Sequence, residues 1–70
     1  NSLYVNKDYR KLGIAKELYE LLINFSKQQG YKKVTLRTFF KFTNAINFYE
    51  KIGFVKYDQD DESYFYIKTL

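Results

Sequence analysis

Arg10-Lys11-Leu12-Gly13-Ile14-Ala15 is the stretch of this chain best suited to holding a charged ligand. It lies between a short apolar strand end, Leu3-Tyr4-Val5, and a run with helical periodicity, so it opens a helix. The first turn of a helix leaves backbone N–H groups without carbonyl partners, and the aligned peptide dipoles add partial positive charge there. Phosphate suits such a corner. Gly13 lets an anion approach the backbone with no side chain in between. The same glycine also fits an ordinary turn, the commonest use of the residue. The spacing R-x-x-G-x-A alone leaves both uses open.

The elements around this stretch follow from periodicity. Residues 14–29 read as an amphipathic helix, with Ala15, Leu18, Tyr19, Leu22 and Phe25 as its buried stripe. Lys16, Glu17, Glu20, Asn24, Lys27 and Gln28 fall on its wet side, and Gly30 sits where a left-handed cap belongs. Residues 33–39 alternate Val34, Leu36 and Thr38 against Lys33, Thr35 and Arg37, which predicts a strand. A helix of this length between two strands makes a right-handed crossover joining parallel neighbours. Thr43 is the expected N-cap of a second helix over 44–51, which Gly53 ends. Residues 54–57 and 63–68 read as a hairpin whose loop carries Asp58, Asp60, Asp61 and Glu62. The order strand-helix-strand-helix-strand-strand is an α/β arrangement with a mixed sheet.

Composition narrows the classes. A chain of 70 residues is one small domain or part of one, and at this size only ~60% of the unfolded chain's surface is buried. With 46% hydrophobic and 21% aromatic residues it is too apolar for a disordered segment. There is no cysteine and no histidine, which removes disulfides and argues against a zinc site. No apolar run approaches the ~20 residues that cross a bilayer, and the start is unlike a signal peptide. No membrane association and a cytoplasmic location are the expectation. Residues 1–57 hold eleven Lys/Arg against four Asp/Glu, a balance of +7 before the acidic loop. A basic body fits a polyanionic partner, either nucleic acid or a phosphate-bearing cofactor, but on charge alone ordinary solvation of the surface is the favoured account.

Two separated blocks resemble the GNAT superfamily of N-acetyltransferases. Leu3-Tyr4-Val5, four residues, then Arg10-Lys11-Leu12-Gly13-Ile14-Ala15 resembles its acyl-CoA motif, a strand end and loop leading to Q/R-x-x-G-x-G/A at a helix start. Ala45-Ile46-Asn47-Phe48-Tyr49-Glu50-Lys51-Ile52-Gly53-Phe54 resembles its A-I-x-x-Y-E-K-x-G-F block, and Tyr31-Lys32-Lys33-Val34-Thr35-Leu36 resembles the strand between them. The resemblance covers nearly the whole chain and implies a partial GNAT-like fold, the C-terminal half that binds acetyl-CoA. It also implies transfer of the acetyl group to an amine, and leaves nucleic acid as an unfavoured partner.

Roles follow from the resemblance residue by residue. In such enzymes two central parallel strands splay apart, and the pantetheine arm lies between them on the backbone of the first strand's end, Leu3, Tyr4 and Val5 here. The pyrophosphate rests on the amides of Arg10, Lys11, Leu12, Gly13, Ile14 and Ala15. Tyr49 matches the tyrosine that serves as general acid, and a phenol of pKa ~10 can protonate a leaving thiolate in a dry pocket. A backbone N–H near Tyr4 would meet the developing oxyanion. Packing beside Phe48 is the other use of Tyr49, and solvation the other use of Arg10. Lys41 and Lys51 could meet cofactor phosphate, but solvation is the favoured use of each.

The chain departs from the family pattern in two ways. Relatives carry a cofactor-contacting asparagine seven residues before the tyrosine. Here that position is Phe42, so Asn44 is assigned in its place. The acceptor-binding helices and first strands have no counterpart, and no motif places a general base. Residues 1–70 thus read as one incomplete domain, a fragment or processed product lacking an N-terminal half. On this reading the 70-residue chain alone is inactive, and it pairs with a second copy or with the absent half. The non-catalytic reading is a CoA-binding or dimerising remnant of the family.

Overall fold

The computed structural model describes residues 2–5 and 12–70. Strand β1 (Ser2–Val5) is followed by α1 (Leu12–Gln28), β2 (Lys33–Phe39), α2 (Thr43–Lys51), β3 (Val55–Gln59) and β4 (Ser63–Thr69). The four strands form one mixed sheet in the order β1-β2-β4-β3. β1 and β2 run parallel across the α1 crossover, and β4 inserts antiparallel between β2 and its hairpin partner β3. This is the α/β order expected from the sequence.

One face of the sheet carries the core. Val34, Leu36 and Thr38 alternate inward along β2, exposed 0%, 4% and 0%. Leu36 is paired with Tyr66 of β4, and directly opposed residues share a face. Ile23 of α1, Ala45, Ile46 and Tyr49 of α2, and Phe54 complete this cluster. Tyr19 joins the two helices, its ring 6.4 Å from Phe48 and 6.2 Å from Phe54. On the opposite face Arg37 lies over Phe39 and Phe65, with ring centroids at 5.1 and 5.8 Å. Val55 and Tyr57 are exposed.

Both helices end on a glycine for the same reason. Gly30 and Gly53 have φ of 78° and 103°, the left-handed region that glycine enters without cost from a Cβ. At each end two amides return to the last turn: Tyr31 N–H to Ser26 O and Gly30 N–H to Lys27 O, then Phe54 N–H to Tyr49 O and Gly53 N–H to Glu50 O. These are paired Schellman closures, each with its apolar contact, Phe25–Tyr31 at 6.5 Å and Tyr49–Phe54 at 5.8 Å.

Three expectations change. The buried stripe of α1, among the described side chains, is Tyr19, Leu22, Ile23 and Ser26, whereas Leu18 and Phe25 are 39% and 49% exposed. Apolar residues occupy so much of this helix that periodicity leaves its rotation undecided. Ser26 can face the sheet because it is small and its hydroxyl donates to Leu22 O at 2.7 Å. Thr43 is the first helical residue of α2, and Phe42 is the N-cap with no side-chain bond. The Phe42 carbonyl accepts the first helical bond from Ile46 N–H, and its ring packs 5.9 Å from Phe39. Packing therefore sets the entry to α2.

The hairpin is also longer than expected. Asp58 belongs to β3, which leaves Asp60, Asp61 and Glu62 as the loop. Asp60 Oδ1 accepts from Ser63 N–H, Glu62 N–H and Ser63 Oγ at 2.7, 3.0 and 2.7 Å. Arg37 donates to Ser63 Oγ, Asp60 and Glu62 at 2.7, 3.2 and 3.1 Å. The Ser63 hydroxyl bond, then the Glu62 amide, hold the Asp60 carboxyl down at about 2. A carboxyl with a depressed folded pKa stabilises the fold above its unfolded value and loses that contribution as pH falls through the folded one. Thermal melts should therefore drop between pH 4 and pH 2, and Asp60→Asn should flatten that drop. An equal drop in the variant would show that Asp60 does not drive it.

Candidate functional site

The two parallel strands define an edge. β1 and β2 point the same way, and each is followed by a helix that begins beyond its carboxyl end. Ligands of α/β sheets bind in the crevice outside the carboxyl ends of such strands. The first turns of α1 and α2 are therefore the parts of the fold to test against the sequence assignments.

α1 opens at Leu12, so Leu12, Gly13, Ile14 and Ala15 are its first four residues. The carbonyl four residues before each lies ahead of the helix, which leaves these amides without partners inside it. No acidic residue occupies this turn, so no carboxylate of α1 competes for its positive end. Four of the six residues assigned to the pyrophosphate are thus together. Arg10 and Lys11 lie outside the described residues.

β1 stays paired with β2 along its whole length, Leu3 opposite Val34, Tyr4 opposite Thr35 and Val5 opposite Leu36. β2 continues through Arg37 and Thr38 to Phe39. Any parting of the two strands begins beyond the Val5–Leu36 pair. Successive N–H groups of a strand point to opposite sides, so part of the Leu3–Val5 backbone faces away from β2.

Tyr49 sits in the last half of α2 and is 5% exposed. Its ring meets Phe48 at 5.9 Å, Phe54 at 5.8 Å and Tyr66 at 6.5 Å. The packing use of this tyrosine is thus present, and its neighbours make a largely aromatic, water-poor surround. Asn44 is in the first turn of α2, exposed. Lys41 and Lys51 are exposed as well.

The sequence reading missed a third contributor to this edge. β4 pairs with β2 as far as Phe39↔Ser63, and Phe40 N–H donates to Glu62 O at 2.9 Å. That brings the β3–β4 loop to the carboxyl end of β2. A hollow of about 480 Å³ lies there, lined by Phe39, Phe40, Lys41, Asp61 and Glu62. Nothing local in the sequence announces a pairing across more than twenty residues. Among the described residues no helix is long and apolar enough to cross a membrane.

Comparison with known proteins bears on the family of the chain. The sequence profile of the acetyltransferase (GNAT) family matches residues 1–54. An uncharacterized N-acetyltransferase of Dictyostelium discoideum is 41% identical over 56 residues, 80% of this chain and 26% of that protein. Human N-acetyltransferase 8 is 37% identical over 57 residues, 81% of this chain and 25% of its own length. N-alpha-acetyltransferase 30 of Schizosaccharomyces pombe is 34% identical over 55 residues, 79% and 37% respectively. The chain spans between about a quarter and somewhat over a third of the length of these curated relatives.

Proposed function

This chain belongs to the GNAT acetyltransferase family, and on that premise we propose that it is the acyl-CoA-binding portion of an enzyme that moves an acetyl group from acetyl-CoA to an amine. The observation that carries the reading is the start of α1. Leu12, Gly13, Ile14 and Ala15 offer their amides in a first turn free of carboxylates, at the carboxyl edge of two parallel strands. A diphosphate matches that corner in charge and in its need for several donors. Arg10 and Lys11 add basic charge to the same stretch of sequence. The pantetheine arm then runs along the end of β1, past the Val5–Leu36 pair. Asn44, in the first turn of α2, is the remaining polar contact for the cofactor.

In the reaction the amine nitrogen attacks the thioester carbon, and the carbonyl oxygen takes up negative charge. Backbone N–H groups of the β1 end suit that oxyanion. The tetrahedral species collapses by breaking the carbon–sulfur bond. The thiolate takes the phenolic proton of Tyr49, and the proton lost by the amine passes to solvent or to a base elsewhere in the protein. The family profile and the Tyr49 block support this assignment.

Free thiol released by the intact protein tests the reading. With acetyl-CoA and a panel of primary amines and peptides, thiol should appear only when both substrates are present. Tight acetyl-CoA binding with no release for any amine would instead make the protein a non-catalytic CoA binder.

A further inference from the structure

Two side chains of β4 grip the last turn of α2. Tyr66 is fully buried, opposite Leu36 of β2 on one side and Lys56 of β3 on the other. Its hydroxyl donates to Glu50 Oε2 at 2.6 Å, and Glu50 is the residue next to Tyr49. Two residues along the same strand, Lys68 Nζ donates to Ile52 O at 2.7 Å, the carbonyl of the helix C-cap. A Cβ on Gly53 would stand 2.7 Å from that ammonium, so the helix end lies directly against the lysine. Both bonds involve a charged partner, the stronger and shorter kind.

We propose that Tyr66 and Lys68 are positioning residues, a clamp from β4 that fixes the turn bearing Tyr49 and so sets where its phenol meets the thioester sulfur. The proposal rests on the reading of Tyr49 as proton donor. α2 is short, only nine residues, and its start has no side-chain cap. Beside its apolar face, these two bonds attach its last turn to the sheet. Apolar contacts are non-directional and permit sliding, whereas hydrogen bonds to residues 50 and 52 fix both rotation and translation. Tyr66 itself sits in the middle of three paired strands, a rigid support. Burial first, then the bond to Glu50, raises its pKa, so it remains a donor throughout the range in which an enzyme works. Proton transfer is sensitive to such placement, and a shift of about 1 Å can cost on the order of a hundredfold in rate.

The test uses the intact protein and four variants: Tyr66→Phe, Glu50→Ala, Glu50→Gln and Tyr49→Phe. Glu50 is exposed, so its substitution leaves the core filled, and circular dichroism at the assay temperature establishes that each variant is folded. Tyr66→Phe and Glu50→Ala should lower kcat about tenfold or more while the acetyl-CoA KM is unchanged. Glu50→Gln keeps an acceptor for the Tyr66 hydroxyl and should stay within about threefold of the parent, a rescue that general loss of stability would not give. Folded Glu50→Ala with full kcat, alongside a slowed Tyr49→Phe, overturns the clamp and leaves the donor reading intact. Full kcat in Tyr49→Phe overturns the donor reading, and the clamp's purpose with it.

Discussion

Replacing Gly13 with leucine is expected to weaken acetyl-CoA binding at least about a hundredfold, roughly 2.7 kcal/mol. Gly13 is the second residue of α1, in the turn whose amides have no carbonyl behind them within the helix. A leucine side chain there stands between the diphosphate and those amides, and the donors must reach the anion at about 2.9 Å to act. Helix propensity makes the prediction discriminating. Leucine is about 0.8–1 kcal/mol better than glycine inside a helix, so the substitution should raise the stability of α1 slightly. Binding lost while thermal stability is kept or improved can only reflect the corner itself. Isothermal titration with acetyl-CoA beside a thermal melt reads both, and unchanged affinity would remove the glycine from the cofactor site.

Tyr49→Phe should slow acetyl transfer by about a hundredfold, the lower range for loss of a general acid, while leaving acetyl-CoA affinity within twofold or so. The benzyl ring retains the contacts with Phe48, Phe54 and Tyr66, so the core around Leu36 and Ile46 keeps its volume. The hydroxyl proposed as proton source for the departing thiolate is removed. The loss should shrink when the thioester is replaced by one whose thiol is more acidic, because such a leaving group needs less help. Steady-state rates for the two donors decide this. An unaltered rate, or a loss of equal size with both, would show that Tyr49 is not the proton donor.

What could be read from the chain was what is local. The helix ends at Gly30 and Gly53 each depend on a few neighbouring residues and are where the sequence puts them, whereas α1 begins at Leu12, two residues before the expected start at 14. β2 is exact because Val34, Leu36 and Thr38 alternate cleanly with polar neighbours. The face of α1 was misjudged because Leu18, Leu21 and Phe25 are as apolar as the residues that turn inward. A buried Ser26, satisfied by its own helix at Leu22 O, carries no hydrophobic signal at all.

Long-range pairing was the other limit. Arg37 reads as a wet residue of an alternating strand. Its fork reaches Ser63, Asp60 and Glu62 only because β4 lies beside β2. The same pairing brings Tyr66 beneath Glu50 and places the β3–β4 loop at the edge of the candidate site. Hairpin partners were legible from sequence. Which strand the hairpin's second arm would join was not, because a side-chain period of two is the same whichever neighbour it pairs with.

The amides that begin α1 are the centre of this account, and nuclear magnetic resonance observes them directly. Titration of the protein with coenzyme A should displace the backbone amide signals of Leu12, Gly13, Ile14 and Ala15. Pantetheine, which has the thiol arm without the diphosphate, should leave them in place. Saturation by coenzyme A with those four signals unmoved, or an identical displacement by pantetheine, would contradict the assignment.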